Sequence, residues 1–370
     1  MNHLRGYVLT FVIPTHSRPH TLEACIRSIA EQVKTDDVRI RVIDDQSPME
    51  SVEILDRLVG EFKFLSYRRM EVHGDYSTAF REMFCEARDS EWVWTFGDDD
   101  RLLPGALEFI RRELIEKPND LQFVHVAETR RASGGNAVHR GTLLDLCNNF
   151  GWIEMTGFIT GNLTRGERLW SAAQTPRWNR YSKSSFVQSA ALLEELAHDQ
   201  CALFDFACME PQRDDNGMSA DTMGKWREQN IDVRYQFAAE CIEAMFEEGV
   251  LTQLLETKFF RYLSYDLMGR FLSHFAADYI NQGIVYDDMT WARIEKLGLF
   301  LRDKDAAIKL HEDCTAIRDI TILHSGLKAN LDALLARLAV IAQRRNTFFY
   351  PYSYVGQPEP SKEAALEHPV

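Results

Sequence analysis

The sequence predicts an α/β fold with a mostly parallel sheet, followed by an α-helical domain. Three observations predict it. Short apolar runs alternate with helix-periodic stretches through the first third of the chain, polar and acidic clusters fall where the runs end, and from Lys225 to about Arg345 the pattern is almost wholly helical.

Tyr7–Ile13 is an apolar run stopped by Pro14 and reads as a buried strand. Thr21 can cap the helix that follows, which sets Leu22, Cys25, Ile26 and Ile29 on one face. Val38–Ile43 is a β-branched run ended by Asp44-Asp45-Gln46-Ser47-Pro48. Ser51–Val59 is a helix, Phe62–Tyr67 a third strand and Thr78–Arg88 a third helix. The aromatic strand Glu91–Phe96 runs into Gly97-Asp98-Asp99-Asp100, with a helix over Pro104–Ile115 and a strand over Leu121–Ala127 behind it. Phe158–Leu163 reads as a strand, Phe186–Leu196 as a helix and Glu210–Gly224 as a loop. In parallel sheets ligands sit beyond the carboxyl ends of the strands, so Pro14–Arg18, Asp44–Ser47 and the Asp triplet are expected on one edge.

Composition narrows the function. The 370 residues suit two domains or one elaborated one, and 45% hydrophobic content can fill a large core. A net charge of −14, from 42 basic and 56 acidic side chains, argues against nucleic acid as a partner. The seven scattered cysteines lack CxxC spacing and read as reduced thiols. The polar start, Met1–Gly6, does not look like a signal peptide, and no stretch approaches the roughly 20 apolar residues of a membrane span. The expected location is cytoplasmic, with peripheral association at the inner face of a membrane as a further option.

Three adjacent carboxylates at a strand end repel one another, and a bound divalent cation relieves that repulsion. Mg²⁺ or Mn²⁺ takes carboxylate oxygens together with substrate phosphates. The bland alternative is a solvated acidic turn. At Asp44-Asp45 a carboxylate can accept a hydrogen bond from a base imide or a ribose hydroxyl; the alternative is an Asx-turn with Ser47 and Pro48. Arg213, Lys225 and Arg227 flank a Gly- and Asp-rich stretch that would serve as a lid over a diphosphate, or as a plain linker. His125, on an apolar strand, reads as a core histidine, and Phe259, Leu263, Leu267, Phe271 and Phe275 as a core stripe rather than a membrane face.

Phe11-Val12-Ile13-Pro14-Thr15-His16-Ser17-Arg18-Pro19 resembles the opening strand and loop of family 2 glycosyltransferases. Val42-Ile43-Asp44-Asp45-Gln46-Ser47 resembles that family's Asp-Asp-x-Ser strand end, Gly74–Glu82 its glycine-to-arginine segment, and Trp92–Asp100 with Leu103–Leu107 its metal motif and following helix. A fainter likeness, over Gly157–Arg165 and Phe186–Leu196, points to an O-antigen branch such as the abequosyltransferases.

The resemblance implies a GT-A fold, a nucleoside-diphosphate sugar donor, Mn²⁺ or Mg²⁺, and inverting transfer to a glycan or lipid-linked glycan in surface polysaccharide biosynthesis. It places Thr15 and Asp45 at the base, with Asp44 beside them. It puts Arg81 under the nucleotide, Asp98 at the ribose or metal shell, and Asp99 as metal ligand with Asp100 as second candidate; Arg213 would meet the diphosphate only if the Gly- and Asp-rich stretch is a lid. Counted back from Pro104, Gly97 stands where the family's first Asp normally does, and Ser17 replaces a common Asn. The usual acidic pair that supplies the catalytic base has no counterpart in Arg180–Phe186, leaving Glu154, Glu210 and Asp214 as candidates. The expected organisation is a donor domain over 1–215, a helical domain over 216–350 able to carry a homodimer interface, and a loosely ordered tail over 351–370. The rivals are a nucleotidyltransferase, disfavoured because Pro14–Pro19 has no glycine, and a catalytically silent sugar-nucleotide-binding scaffold.

Overall fold

The computed structural model describes residues 7–116, 119–182, 186–212, 265–298, 301, 303–323 and 327–348. β1 (Tyr7–Thr15), α1 (Pro19–Ala30), β2 (Val38–Asp44), α2 (Met49–Glu61), β3 (Leu65–Arg69), α3 (Tyr76–Cys85) and β4 (Ser90–Thr95) follow in strict alternation. Then come β5 (Asp100–Leu102), α4 (Ala106–Ile110), β6 (Phe123–Glu128), β7 (Val138–Thr142), α5 (Leu143–Phe150) and α6 (Trp152–Thr156). β8 (Asn162–Arg165), α7 (Gly166–Ala173), α8 (Trp178–Tyr181), α9 (Val187–Leu196) and β9 (Gln200–Pro211) complete the α/β unit.

The strands form one sheet in the order β3-β2-β1-β4-β8-β6-β9-β5, with β7 paired to β9. β3, β2, β1 and β4 are mutually parallel. β8 runs antiparallel between β4 and β6, and β9 is parallel to β6 but antiparallel to β5 and β7. Alternate residues of the central strands feed two separate cores. Phe11, Trp92 and Trp94 pack with Leu22 of α1 and Leu55 of α2 on one face. Val12 and Val93 pack with Phe84 of α3, Leu169 of α7 and Leu193 of α9 on the other. A strand covered on both faces needs a continuous apolar run, which is what the sequence of β1 supplies. α7 lies so close to the start of β4 that a Cβ on Gly166 would sit 2.2 Å from the Ser90 carbonyl oxygen.

The helical elements described after β9 are α10 (Tyr265–Gln282), α11 (Asp288–Gly298), α12 (Lys304–Leu323) and α13 (Leu327–Thr347). α10 packs on α12 and α13, and α11 on α12. Asp313 is fully buried, and it accepts from Arg337 Nη2 and Arg344 Nη1 at 2.7 Å each and from the Tyr265 hydroxyl. Breaking such a group by removing one partner is costly, because a buried charge is left uncompensated. Phe271 and Phe275 are buried, as members of a core stripe should be; Phe259 and Leu263 lie outside the described residues. No helix among the described residues is long and apolar enough to cross a membrane.

Several boundaries differ from the sequence expectation for local reasons. α1 begins at Pro19 with Arg18 as its flanking residue, so Thr21 lies in the first turn and its hydroxyl donates to the Arg18 carbonyl rather than capping. Phe62 closes α2, its N–H bonded to the Leu58 carbonyl, and the third strand starts only at Leu65. The helix after Pro104 relaxes into a π-turn over Arg111–Ile115. Ile159–Gly161 forms a 3-10 turn, so the strand expected from Phe158 begins at Asn162. Glu210 and Pro211, expected in a loop, end the long strand β9 and pair with Arg101 and Asp100 of β5.

Candidate active site

The carboxyl ends of β1, β2 and β4 meet at one edge and are laced together by backbone bonds. The Asp45 N–H donates to the Thr15 carbonyl at 2.9 Å, and the Phe96 N–H to the Val12 carbonyl at 2.9 Å. Ser17 and Gln46, in the two loops, both hold positive φ angles, 58° and 56°. Non-glycine residues enter this region at a cost, and such strain clusters at functional sites. The Ser17 N–H donates to Ser47 Oγ at 3.0 Å, tying one strained loop to the other.

Asp44 and Asp45 have different tasks. Asp44 is fully buried and its Oδ1 accepts from the Ser47 N–H at 3.0 Å, the Asx-turn that the sequence allowed. Its Oδ2 has no hydrogen-bond partner and faces Arg69 Nη1 at 3.5 Å. Asp45 turns the other way. Its Oδ1 accepts from the Gly74 N–H at 2.8 Å and its Oδ2 lies 3.1 Å from His73 Nδ1.

The Asp triplet sits at the next strand end. Thr15 Oγ1 donates to Asp98 Oδ2 at 2.7 Å, and Arg18 Nη1 reaches Asp98 Oδ1 and Asp99 Oδ2 at 2.9 Å each. Burial pushes the Asp98 carboxyl up to about 6; the charge of Asp99 adds to this, while Arg18 and the Thr15 hydrogen bond oppose it. Asp100 is held well above the usual carboxylate range, first by burial and then by Asp99, against a hydrogen bond from Thr160. Asp99 alone remains about one-third exposed.

Thr160 is the hub behind the triplet. Its hydroxyl contacts Asp100 and accepts from the Gly97 N–H at 2.9 Å. The 3-10 turn that carries it is fixed by Trp94 Nε1 donating to the Thr160 carbonyl and Thr95 Oγ1 to the Ile159 carbonyl, both at 2.7 Å. The same packing explains why residue 97 is glycine. A Cβ there would meet Asp100 Oδ2 at 2.9 Å and Asp99 Oδ1 at 3.0 Å. A side chain at 97 would occupy the space that the two following carboxylates fill.

A protein-family model, "Glycosyl transferase family 2", matches residues 10–185, which span all of these strand ends. Residues 10–185 form a family 2 glycosyltransferase domain. Its chemistry is glycosyl transfer, and GT-A domains commonly use a divalent metal. No curated protein matches the chain. Among solved structures, the chain is similar to S. aureus TarS 1–349, at 11% identity and TM-score 0.47, covering 91% of each chain. It is also similar to the mannosyltransferase PcManGT of Pyrobaculum calidifontis in complex with GDP-Man and Mn²⁺, at 14% identity and TM-score 0.48, covering 91% of this chain and 86% of that one.

Within the glycosyltransferase domain, Thr15, Asp45, Asp98, Asp99 and Asp100 come together at one edge. Arg81 is exposed on α3, and its Nε donates to the Ala173 carbonyl at 3.2 Å, at the end of α7. Of the candidate bases, Glu154 is ion-paired with Arg131. Glu210 has no hydrogen bond or ion pair among the described residues and lines a cavity of about 420 Å³ with Arg101, Thr129, Arg130 and Gln212. Gln212 joins that cavity to the triplet: its N–H donates to the Asp99 carbonyl at 2.8 Å and its Nε2 to the Asp100 carbonyl at 3.1 Å. Asp214 and Arg213 lie outside the described residues, as do Lys225 and Arg227.

Two functional residues were missed by the sequence reading. Arg18 was read as part of a loop motif, yet it is the cation on Asp98 and Asp99; its place one residue before the helix-starting Pro19 was the available signal. Glu128, nearly buried at the carboxyl end of β6, is paired with Arg130 at 2.8 Å, and its charge raises the Asp100 pKa. Nothing in its neighbouring sequence marks it. His125 is a core histidine as expected, 1% exposed with Nδ1 3.0 Å from Asn162 Oδ1, and burial lowers its pKa to about 4.

Proposed function

We propose that this chain is a metal-dependent, inverting glycosyltransferase that moves a sugar from a nucleoside-diphosphate donor to a glycan hydroxyl in surface polysaccharide biosynthesis. The donor domain spans 1–215, and 216–350 forms the helical domain. One observation carries the reading: Asp98, Asp99 and Asp100 crowd together at the strand ends that also carry Asp45, and among the described residues the Arg18 guanidinium is the cation paired with them.

The donor set fits a hard divalent cation. It consists of carboxylate oxygens, and the rise of the Asp98 and Asp100 pKa values comes from burial and mutual repulsion that a cation would relieve. Asp99 is the primary ligand because it alone is open to solvent, and Asp100 supports the site from behind through Thr160. The bound cation supplies neutralisation of the departing diphosphate. Asp45 receives a hydrogen bond from the base, and Thr15 holds Asp98 toward the ribose. Arg18, released from Asp99 when the site fills, turns to the diphosphate, whose charge suits a guanidinium.

Glu210 is the general base. Its support is position and freedom: a carboxylate with no side-chain partner among the described residues, in a cavity next to the backbone of Asp99. Glu210 takes the proton of the acceptor hydroxyl as that hydroxyl attacks the anomeric carbon from the face opposite the departing diphosphate, and attack from that face gives inversion. Glu154, already paired with Arg131, keeps a structural role.

The test is a thermal-shift screen of nucleoside diphosphates with and without Mn²⁺. A ligand that binds only the folded state raises the midpoint as its concentration passes its Kd. One nucleotide should raise the midpoint only with Mn²⁺ present, and Asp99→Ala should abolish the difference. No shift with any nucleotide would overturn the reading.

A further inference from the structure

Beside the base-facing carboxylate lies a second donor set of different chemistry. One ligand atom from each of His16, Asp45 and His73 falls within 4.8 Å of the other two. The three come from three separate loops, after β1, β2 and β3. The two imidazole rings face each other at 4.6 Å between centroids, tilted by 31°.

The hydrogen bonds around the cluster fix which atom of His16 and which atom of Asp45 remain as donors to a cation. His16 Nδ1 lies 2.6 Å from the Asp45 carbonyl oxygen. A carbonyl only accepts, so Nδ1 carries the proton and Nε2 is left with its lone pair. This is the usual outer hydrogen bond of a metal-ligating histidine. Asp45 Oδ1 is taken by the Gly74 N–H, and its Oδ2 lies 3.1 Å from His73 Nδ1, which donates to it until a cation takes the place of that proton. That separation is close to the edge of a tetrahedron with bonds of roughly 2.0–2.1 Å, about 3.3 Å.

We propose that His16, Asp45 and His73 form a binding site for a Zn²⁺-class transition-metal cation, separate from the Asp triplet, and that filling it blocks the donor's base. The set of two nitrogens and one oxygen with an open fourth position suits zinc, whereas Mg²⁺ prefers all-oxygen shells. Metal on Asp45 Oδ2 removes the acceptor that the proposed function assigns to the base; this second half of the proposal rests on that reading. The result is an enzyme whose donor pocket is closed by trace zinc and reopened when zinc is withdrawn.

The experiment titrates metal-stripped full-length chain with Zn²⁺, and with Co²⁺ for its visible absorption, in a constant Mg²⁺ background that keeps the triplet supplied. One equivalent should bind, with imidazole-type cobalt bands. His73→Ala, at a position 60% exposed and tolerant of change, should weaken binding at least tenfold, and His16→Gln likewise. Absence of a stoichiometric site, or a site that survives in both variants, overturns the proposal. Repeating the titration with UDP and with GDP tests the second half. By linkage, the nucleotide that binds should weaken Zn²⁺ by the same factor that Zn²⁺ weakens it. Nucleotide binding unaffected by Zn²⁺ overturns the competition and leaves the metal site standing. Failure of every nucleotide to bind strikes the proposed function instead, and the zinc titration alone then decides the site.

Discussion

At the carboxyl ends of β1, β2 and β4, acidic side chains share few cations, whereas Glu82 and Glu86 on the same side are paired with Arg68 and Arg41. Asp98 and Asp99 divide one arginine, Asp100 at the start of β5 leans on the Thr160 hydroxyl, and Asp44 Oδ2 has no hydrogen bond among the described residues and lies 3.5 Å from Arg69. On the β8-β6-β9-β5 side, Glu128 has Arg130 and Glu154 has Arg131. Both sides bury comparable numbers of apolar residues, so the contrast lies in charge and not in packing. A paired carboxylate is finished as structure. A crowded one is incomplete until something positive arrives, and that is where the proposed function puts the metal and the donor phosphates. Glu210 breaks the pattern of its own side, which is why we assign it the proton.

The comparison breaks most visibly by substitution at the crowded edge. Asp99→Ala should lower transfer by about 10³-fold in a donor-consumption assay, the scale of losing a main electrostatic stabiliser. Equal loss from Glu154→Gln would erase the distinction between crowded and paired acids. Next in size is Glu210→Gln, expected to lower kcat by about 10²-fold with the donor KM little changed. A change confined to KM would move the base elsewhere.

The seam between the two sides gives the third prediction. Gly166 opens α7 directly after β8 and lies against the backbone of β4. Gly166→Ala should destabilise by about 1–3 kcal/mol, because the obstacle is the fixed Ser90 carbonyl rather than a flexible side chain. Denaturant melts read this directly, and an unchanged midpoint would mean that the seam is looser than drawn.

A smaller effect tests the crowding itself. The folded-state pKa of Asp98 is raised from 3.8 to about 6, so the folded chain binds a proton there more tightly than the unfolded one. Its contribution is fully present below about pH 4 and is lost as pH rises through 6. Without divalent metal, the midpoint should therefore fall by a few degrees between pH 4 and pH 6.5 relative to Asp98→Asn, and Mn²⁺ should restore it at the upper end. A wild-type profile parallel to that of the variant would remove Asp98 from the crowded set. Least of all, Ser17→Asn should stabilise by a few tenths of a kcal/mol, since Asn tolerates positive φ better than Ser.

From β1 to β4 the alternation of strands and helices, the helix-covered sheet and the strand-end clusters were legible in the sequence, while β5, β7 and β9 were not. Each rests on local signals: apolar runs, helical periodicity, and the polar residues that stop them. Thr15, Asp45 and Asp98 to Asp100 could be named because parallel strands deliver their carboxyl ends to one edge whatever the details. The later strands were harder. β8 begins inside a segment that bends into a 3-10 turn, and β9 ends on Glu210 and Pro211, whose composition reads as loop; only pairing with β5 makes them strand.

The sequence by itself determined the fold class and which acids stand at strand ends, because periodicity and chain direction are properties of the chain alone. Tertiary structure decided which of those acids are paired. It set Arg18 on Asp98 and Asp99, turned Asp44 inward and Asp45 outward, and brought His16 and His73 together across three loops. The reason is physical: a side chain's charge state and partners depend on neighbours tens of residues away, and no local pattern records them.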